Sequence, residues 1–473
     1  MKTRFVILGA GPGGYVAAVR AAQMGGDVVI IEKAQAGGTC LNWGCIPSKI
    51  YKQTADTLLT VREAEKFCVT GVEGGTVDLT LLQAHSQKII DSQIRGIEGL
   101  LQKHGVKKIE GLGKLAGPNS LIVEHVDGNT QTLEFDKLII ATGSEPVALP
   151  FLPFDGKNVL SSNDIFSLDT IPASLTIIGG GVIGCEFASI MNAFGVQVHL
   201  VEGLDRLLPL PSVDEECSKL LLREMKKKKI KVELSSSVAS ATETADGWSL
   251  ELNCTARGKT TTKTIVSEKV LVCIGRKSIN QGLELETAGV DCDNRGWIVA
   301  SNTLQTTNAN IYAIGDTLGP ARVMLAHSAS TEAEIAVENC FGKDKTMDWS
   351  VMPSAIFTMP EIGCVGLSEQ EAIEAYGADN IMVESTLFRT LGKAQVIGEI
   401  AGFCKMICEK TSGKIRGVHI AGPHATDILG EACLAIKLGA TASQVAATIH
   451  AHPTLAEIML ETSFKMIDMP LHG

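Results

Sequence analysis

The chain is organised around the stretch Gly37-Gly38-Thr39-Cys40-Leu41-Asn42-Trp43-Gly44-Cys45-Ile46-Pro47-Ser48-Lys49. Two Cα atoms must lie within about 7 Å to form a disulfide, whereas positions i and i+5 of a regular helix are about 8.6 Å apart. Cys40 and Cys45 can therefore pair only where the intervening backbone departs from a helix. Gly44 permits such a departure, and Pro47 disfavours helical dihedral angles at Ile46. The spacing predicts a constrained, reducible disulfide; two ordinary buried cysteines are the alternative.

A dinucleotide-binding motif comes directly before this stretch. A short apolar strand at 5–8 runs into Gly9, Gly11 and Gly14 of a GxGxxG pattern, and a helix is predicted over 15–24. A second strand at 28–31 ends at Glu32, 18 residues after Gly14. An acid at that position is expected to meet the ribose of a bound dinucleotide. Strand, loop, helix and acid together predict dinucleotide binding and place the two cysteines close to it.

The same motif occurs again in the second quarter of the chain. Gly179, Gly181 and Gly184 follow a strand at 175–178, and the next strand, at 196–201, ends at Glu202. Two complete motifs predict two dinucleotides. An acid after the second strand favours NAD, whereas NADP sites usually carry a cation there. Arg206 is near enough to leave NADP open.

Three further segments are candidates for ligand contacts. An apolar strand over 138–140 ends in the small residues 141–144, and another strand, over 311–314, ends at Asp316. Ligands lie at the carboxyl ends of parallel strands, so Asp316 could bind a polyol; the alternative is that it caps the next turn. A helix predicted to start at Met324-Leu325-Ala326-His327 could point at the same ligand.

The C-terminal part holds a histidine segment with two interpretations. His450 and His452 lie two residues apart in extended chain, which predicts side chains that point the same way. Glu457 could orient a catalytic histidine, or it could complete a capping box that begins at Thr454. A nearby strand over 402–408 places two cysteines, Cys404 and Cys408, on one face; a buried strand is favoured over a metal site, and no metal is predicted.

Composition narrows the class of protein. The 473 residues are 45% hydrophobic and 20% charged, with a net charge of −11 that argues against nucleic acid as a partner. Thirteen cysteines are too scattered for an extracellular disulfide framework, so we expect most to be reduced and buried. No apolar stretch of about 20 residues exists, so no membrane span is predicted. The expected location is the cytoplasm.

The cysteine stretch, both glycine motifs, Gly315-Asp316 and His450-Ala451-His452-Pro453-Thr454 resemble the flavoprotein disulfide reductases over essentially the whole chain. The resemblance implies FAD on the first motif, NAD on the second, and a redox disulfide beside the flavin. It implies that Cys40 attacks the substrate, that Cys45 contacts the flavin as a charge-transfer thiolate, and that His452 is the acid–base catalyst, oriented by Glu457. The residues expected to bind the two cofactors are Gly9, Gly11, Gly14, Glu32, Gly38, Thr39, Lys49, Gly113, Thr142, Gly143, Ser144, Asp316, Met324, Leu325, Ala326, Gly179, Gly181, Gly184, Glu186, Glu202, Val238 and Gly275.

The expected fold class is α/β, with two Rossmann-like dinucleotide-binding domains and an α+β C-terminal dimerisation domain. The predicted boundaries are 1–147 for the first part of the FAD-binding domain, 148–275 for the NAD-binding domain, 276–347 for the second part of the FAD-binding domain and 348–473 for the dimerisation domain. Pro146, Pro150 and Pro153 mark the first crossing.

Within the family, the resemblance implies oxidation of protein-bound dihydrolipoamide with NAD by a homodimer that meets the lipoyl domains of a multienzyme complex. Glutathione reductases carry a tyrosine at the position of Val182 and basic residues near Glu202, and mercuric reductases end in a cysteine pair that this chain lacks. Three alternatives remain: a related reductase for another disulfide, an NADH oxidase without disulfide chemistry, and a non-enzymatic redox sensor.

Overall fold

The structure is a computed structural model that describes residues 2–256 and 258–472. Three five-stranded sheets carry the architecture of this part of the chain, two of them parallel and one antiparallel. This arrangement confirms the predicted α/β class with two Rossmann-like units and a C-terminal α+β domain. In the described residues, no helix combines the length and the apolar character needed to cross a membrane.

The first parallel sheet has the strand order β18-β7-β1-β2-β3, with β1 at its centre. Phe5 and Ile7 of β1 are fully buried, as expected for a central strand covered on both faces. Strands β4 to β6 form a separate antiparallel meander. The elements of this part are β1 (Arg4–Leu8), α1 (Pro12–Gln23), β2 (Asp27–Glu32), α2 (Gly38–Trp43), α3 (Cys45–Arg62), α4 (Leu79–Lys103), β3 (Lys107–Glu110), β4 (Leu112–Gly117), β5 (Ser120–Glu124), β6 (Thr130–Glu134), β7 (Lys137–Ile140) and β8 (Ser144–Pro146).

The second parallel sheet repeats the design with the order β12-β11-β10-β16-β9. An antiparallel meander, β13-β14-β15, precedes its strand β16. The elements are β9 (Val159–Leu160), β10 (Ser174–Ile178), α5 (Val182–Ala193), β11 (Gln197–Val201), α6 (Glu215–Lys227), β12 (Lys231–Glu233), β13 (Ser236–Thr244), β14 (Gly247–Ala256), β15 (Lys259–Ser267) and β16 (Lys269–Val272).

The chain then returns to the first sheet. Strand β17 (Arg276–Ser278) pairs antiparallel with β8, and β18 (Ile311–Ala313) adds to β7 as an edge strand. Helix α7 (Ala326–Cys340) packs on α1 and begins where the sequence predicted a helix. Residues far apart in sequence thus meet at one end of the first sheet.

The C-terminal part is an antiparallel sheet of order β19-β20-β23-β22-β21 with helices on its faces. Cys404 and Met406 of β22 contact Met459 and Ser463 of α12, which confirms the predicted buried strand. The elements are β19 (Ser354–Ile356), β20 (Glu361–Gly366), α8 (Glu369–Tyr376), β21 (Ile381–Leu387), α9 (Gly392–Ile397), β22 (Phe403–Glu409), β23 (Ile415–Gly422), α10 (Ala425–Leu438), α11 (Ala442–Ala446) and α12 (Glu457–Met466).

Two local expectations were wrong. Pro47 does not keep Ile46 out of a helix, because both lie in the first turn of α3. Backbone N–H groups of a first turn have no intrahelical acceptor, so the N–H that proline lacks is not needed there. Nor are most cysteines buried: five are, and the other eight are partly or fully exposed, Cys45 among them. Four of these eight lie in helices, which expose one face to solvent, and the others lie in the strand β14 or in connecting segments.

Candidate active site

The first glycine loop is built so that α1 points its N-terminus into open space. Gly9 has φ +96°, and a Cβ on Gly14 would lie 1.8 Å from the Gly9 carbonyl oxygen. Gly11, the N-cap of α1, has no such contact: the nearest atom to an added Cβ is a Gly38 Cα at 3.9 Å. The first N–H groups of a helix have no intrahelical partner. The space and the donors therefore fit a dinucleotide pyrophosphate.

The second loop has the same construction at α5. Gly179 has φ +109°, and a Cβ on Gly184 would lie 1.9 Å from the Gly179 carbonyl oxygen. Gly181 is the N-cap of α5, carries no side-chain cap, and has nothing within 4 Å of an added Cβ. This site also fits a pyrophosphate.

The two acids at the strand ends brace these loops. Glu32 accepts hydrogen bonds from the backbone N–H of Ala10 (2.7 Å) and Ala34 (2.9 Å). Glu202 accepts from Gly180 (2.6 Å) and Leu204 (2.8 Å) in the same way. Each carboxylate keeps lone pairs free, so contact with a ribose hydroxyl remains a prediction compatible with this bracing.

The redox segment is attached to the first loop through backbone contact. Gly37 N–H donates to the Ala10 carbonyl (2.8 Å), and a Cβ on Gly38 would lie 2.7 Å from the Gly11 Cα. Gly38 (φ +56°) and Thr39 open helix α2 at this point. The cysteines are thereby held next to the cofactor site.

Cys40 and Cys45 lie on opposite sides of a break between two helices. Gly44 separates α2 from α3 with φ −138° and ψ −111°, and a Cβ there would lie 2.7 Å from the Thr39 carbonyl oxygen. The predicted departure from a helix is therefore present. Both cysteines are free thiols, the reduced state of the predicted pair.

The two thiols differ strongly in acidity. A hydrogen bond from Cys40, supported by the charge of Lys49, lowers the pKa of Cys45 to about 7. The same hydrogen bond and burial raise the pKa of Cys40 well above its usual range. In the dithiol, the proton therefore stays on Cys40 and Cys45 becomes the thiolate.

One carboxylate joins three parts of the fold beside the cysteines. Glu186 of α5 contacts Lys49 of α3 at 2.9 Å and accepts a hydrogen bond from the Phe357 backbone N–H, also at 2.9 Å. The Lys49 ammonium lies 4.2 Å from the centre of the Phe357 ring. Lys49 is thus fixed near Cys45 by both an ion pair and a cation–π contact.

A polar cluster lies at the C-terminal ends of β7 and β18 and at the N-terminal ends of β8 and β17. Ser144 Oγ donates to Asp316 (2.6 Å), and Arg276 Nε donates to Ser144 Oγ (2.6 Å). Arg276 Nε also lies 3.4 Å from the Asp316 carboxylate. Thr142 completes the cluster by donating to Asn280 (3.1 Å). The predicted residues Thr142, Ser144 and Asp316 are therefore brought together.

A buried acid supports the turn that carries Asp316. Glu332 of α7 is fully buried and accepts hydrogen bonds from Gly315 N–H (2.5 Å) and Ser328 Oγ (3.1 Å). Burial raises the pKa of Glu332 to about 7. Met324, Leu325 and Ala326 lead into the same helix, with Leu325 as its N-cap.

The histidine segment forms a separate pair. Glu457 Oε1 lies 2.8 Å from His452 Nδ1, which fits the orienting interpretation, and its Oε2 accepts the Thr454 backbone N–H at 2.8 Å. The capping box at Thr454 was wrong, because α12 begins only at Glu457 with Ala456 as its N-cap, and Thr454 Oγ1 donates to the Ala451 carbonyl instead. The His452 side chain is 76% exposed, whereas that of His450 is 6% exposed and bound to Glu431. The expectation that the two histidines point the same way was wrong, because each ring follows a different carboxylate.

The remaining predicted residues lie at the edges of these sites. A Cβ on Gly113 of β4 would lie 2.5 Å from Leu8 Cδ2, near the end of β1. Gly143 (φ +81°) precedes β8, and Gly275 (φ +125°) accepts a hydrogen bond from the Val147 N–H. Val238 lies on β13, whose first residue hydrogen-bonds Glu202.

The structure thus joins the predicted residues into cofactor loops, a cysteine site and a histidine pair, but it does not unite the last two. Within the described residues, no hydrogen bond or ion pair links His452 to Cys40 or Cys45. Sequence reasoning missed Arg276, Asn280 and Glu332. The sequence signal for Arg276 was its position directly after Gly275. The only signal for Glu332 was that an acidic residue occurs among the apolar residues of its helix.

Comparison with known proteins shows consistent similarity. Residues 3–333 match the family model for pyridine nucleotide-disulphide oxidoreductases, and residues 352–463 match that family's dimerisation domain. A dihydrolipoyl dehydrogenase of Bacillus subtilis is 40% identical, covering 99% of this chain and 98% of the relative. One from Chlamydia trachomatis is 38% identical, covering 99% and 97%. The crystal structure of LpdA from Mycobacterium tuberculosis superposes with a TM-score of 0.89 at 26% identity, covering 98% and 99%.

Proposed function

Because this chain belongs to the pyridine nucleotide-disulphide oxidoreductase family, we propose that it acts as a dihydrolipoyl dehydrogenase. It oxidises protein-bound dihydrolipoamide to lipoamide and reduces NAD. It would be the reductase component of 2-oxo acid dehydrogenase or glycine cleavage complexes. The observation that carries this proposal is the asymmetric thiol pair of Cys40 and Cys45, seated against a dinucleotide loop and beside the Lys49–Glu186 ion pair.

Each of the two helix N-termini binds one of the two cofactors. FAD belongs to the loop of Gly9, Gly11 and Gly14, with Asp316 and Ser144 available to a ribitol chain, and NAD to the loop of Gly179, Gly181 and Gly184. FAD held at the first loop would supply two-electron redox chemistry between the dithiol and NAD held at the second.

The arginine that left NADP open is engaged elsewhere. The Arg206 guanidinium donates to the Val213 and Leu210 carbonyls (3.0 and 2.8 Å) and to Ser218 Oγ (3.0 Å). Its donors are used within the segment that leads into α6. Glu202 therefore dominates the charge at the second strand end, which favours NAD over NADP.

The cysteines act in order. A substrate thiolate attacks Cys40 of the disulfide, a mixed disulfide forms, and Cys45 leaves with the electron pair. The lower pKa of Cys45 makes it the better leaving group. The second thiolate of the substrate then attacks the first substrate sulfur, which is bonded to Cys40 in the mixed disulfide. Lipoamide is released, and Cys40 leaves as a thiolate that takes a proton.

His452 handles the protons. Glu457 accepts a hydrogen bond from Nδ1–H, so Nε2 is the free base of this exposed ring. That nitrogen takes the proton of the first substrate thiol and releases it to solvent, and it then takes the proton of the second thiol and returns it to Cys40. Glu457 holds the ring orientation and stabilises the imidazolium that forms.

The function proposal includes a homodimer. The exposed His452 pair belongs to the part of the chain that matches a dimerisation domain, while the cysteines belong to the first part. A two-fold interface would place His452 of one subunit at the disulfide of the other. The domain boundaries given above, at residues 147, 275 and 347, belong to the same proposal.

Lipoyl domains of the multienzyme complex are the proposed protein partners, since dihydrolipoamide is carried on them. A cytoplasmic location is also part of the proposal. The thirteen cysteines do not form the pattern of an extracellular disulfide framework, which supports this part of the proposal.

The test is a steady-state assay of the purified flavoprotein with dihydrolipoamide and NAD. We expect turnover with this pair, and loss of turnover in Cys40→Ser. A panel of other disulfides with NADH and NADPH addresses the second candidate, a related reductase. Faster turnover of another disulfide, or activity that survives loss of Cys40, would overturn the proposal.

A further inference from the structure

A second group of thiol and titratable side chains is buried far from the active site. In the C-terminal sheet, Cys364 of β20 lies opposite His419 of β23, which lies opposite Lys405 of β22. Residues in register on adjacent strands share one face of a sheet. All three are almost completely buried, with exposed fractions of 1%, 0% and 3%.

Helix α6 of the second dinucleotide-binding unit covers this row. Its N-cap, Asp214, forms an ion pair with Lys405 at 3.1 Å and accepts a hydrogen bond from the Glu369 N–H at 3.3 Å. Lys405 also pairs with Glu369 and Glu216. These contacts fix the N-terminal turn of α6 against the C-terminal sheet, so the two parts of the chain are held together by buried charges.

Cys217 is in that same turn. Its N–H donates to the Asp214 carbonyl at 3.1 Å, and its side chain is fully buried. Cys217 and Cys364, 147 positions apart in the chain, belong to one cluster of buried side chains. The interaction between their thiols shifts the pKa of both groups, in opposite directions.

His419 supplies a base at this contact. Its Nε2–H donates to the Leu367 carbonyl at 2.9 Å, which leaves Nδ1 as the acceptor. Nδ1 is buried, has no conventional hydrogen-bond partner and lies beside Cys364. The hydrogen bond from Cys217, together with the nearby His419, lowers the pKa of Cys364 to about 5, whereas the pKa of Cys217 is raised.

A metal site would be the other use for such a cluster. In the residues that the structure describes, no three His, Cys, Asp or Glu side chains are placed to hold a metal ion. The Asp214 carboxylate is instead bound to Lys405 and to backbone N–H groups. The cluster therefore offers a thiol–thiolate pair rather than a coordination sphere.

We propose that Cys217 and Cys364 are a second oxidisable thiol pair, which a peroxide converts into a disulfide joining helix α6 to the C-terminal sheet. The Cys364 thiolate attacks one peroxide oxygen, the O–O bond breaks, and the leaving hydroxide takes the proton held by His419 to form water. The Cys217 sulfur then attacks the sulfenic acid and loses its proton, and a second water leaves. Overall, two thiols and one hydrogen peroxide give one disulfide and two waters.

The disulfide would fasten together the same two parts that Asp214 and Lys405 now join by charge. Its loop would span 147 positions, and constraining a long loop in the unfolded chain raises stability. Because both thiols are buried, only a small neutral oxidant that enters during local opening can react. Oxidation is therefore expected to be slower than that of Cys40 and Cys45.

The experiment treats the full-length flavoprotein with hydrogen peroxide, blocks free thiols with an alkylating agent, and identifies crosslinked peptides by mass spectrometry without reduction. We expect a Cys217–Cys364 peptide to appear with time and to vanish on reduction. The protein is first reduced and freed of reductant, so that return of the Cys40–Cys45 peptide confirms that oxidant reached the protein. The oxidised protein should unfold at a higher temperature.

Cys217→Ser and Cys364→Ser each remove one partner, and Cys408→Ser is the matched control, since Cys408 is buried in the neighbouring strand β22. We expect the rise in unfolding temperature to be absent in the first two variants and retained in the control. The idea is overturned if only the Cys40–Cys45 peptide forms, or if the temperature rise persists in Cys217→Ser. It does not depend on the substrate of the active site.

Discussion

Cys40 and Cys45 have different roles in the proposed reaction, since Cys40 bonds to the substrate sulfur and Cys45 is the thiolate beside the flavin. One hydrogen bond between the two thiols accounts for the difference. The Cys40 thiol donates, which stabilises the Cys45 thiolate and makes loss of its own proton harder. Lys49, held by Glu186, adds its charge on the side of Cys45. The roles of the two cysteines therefore rest on local chemistry that each side chain experiences.

Cys40→Ser should leave Cys45 unable to form the disulfide and free to ionise near neutral pH. We expect the oxidised flavoprotein of this variant to show long-wavelength charge-transfer absorbance without any reductant. In Cys40→Ala the donor is also lost, so the pKa of Cys45 should be higher and the band should appear only at higher pH. The measurement is a pH titration of the absorbance in both variants. A plain flavin spectrum in Cys40→Ser would show that the roles of the two cysteines are reversed. Equal titration midpoints in the two variants would show that the donor at position 40 does not set the pKa of Cys45.

Glu332 connects a single residue to the element that it supports. Its folded pKa of about 7 lies above its ordinary 4.5 because burial disfavours the carboxylate. Because the pKa of this carboxyl group is raised on folding, its contribution to the free energy of unfolding is fully present below pH 4.5 and is lost as pH rises through 7. A difference of this size corresponds to about 3 kcal/mol.

Glu332→Gln should remove that dependence, because an amide can accept from Gly315 and donate to Ser328 without ionising. Thermal unfolding temperatures of both proteins are measured between pH 5 and pH 8. We expect the unaltered protein to lose stability relative to the variant over this range. Release of flavin fluorescence on heating should follow the same order, because Glu332 holds the turn that carries Asp316. Parallel pH profiles would refute the assignment.

At the scale of elements, the N-termini of α1 and α5 show that the glycines of one loop have different structural roles. Gly14 and Gly184 permit close backbone packing, since a Cβ would lie 1.8 or 1.9 Å from a carbonyl oxygen. Gly11 and Gly181 border open space. The first kind serves the fold, and the second kind serves a ligand.

Alanine substitution separates the two roles. Gly11→Ala should fold but bind FAD more weakly, by roughly tenfold or more, because its methyl group would occupy space meant for the pyrophosphate. Gly14→Ala should fail to form the loop at all. Gly181→Ala is the matched control: it should retain FAD and lose affinity for NAD. Flavin content and NAD titration decide the matter, and full FAD retention in Gly11→Ala would contradict it.

At the scale of the whole molecule, the catalytic groups are divided between the first and last parts of the chain. Glu186 and Asp214 tie the second dinucleotide-binding unit to its neighbours through Lys49 and Lys405. His452, by contrast, is exposed, and its partner Glu457 is bound only within the same segment. The proposed function therefore predicts that a complete site forms only with a second copy of the chain.

Cys45→Ser and His452→Gln homodimers should each turn over dihydrolipoamide poorly, but their coexpression should restore activity. In a mixed two-fold dimer, one site carries both lesions and the other carries neither, so random pairing gives roughly a quarter of normal activity. Activity is measured on mixed dimers isolated with two different affinity tags. If His452 acted within its own subunit, every site would carry a lesion, and no recovery would be seen.

The sequence by itself determined the features that depend on neighbours along the chain. Strand, glycine loop, helix and acid recur within 30 residues, so the positions of β1, α1, β2 and Glu32 follow from local geometry and periodicity. The same holds for Gly44, whose permissive backbone separates Cys40 from Cys45. The roles of His452 and Lys49 came from the family resemblance rather than from these local signals.

Only the tertiary structure decided which distant side chains meet. Arg276 reaches Ser144 across 132 positions, Glu332 supports the Asp316 turn, and Lys405 of a strand that reads as apolar is buried against Asp214 across 191 positions. Such pairs leave no periodic signal, because a buried charge is stable only when its partner arrives from another element. Local order along the chain is fixed by backbone sterics and hydrogen bonding, whereas the partners of buried polar groups are fixed by how the sheets pack.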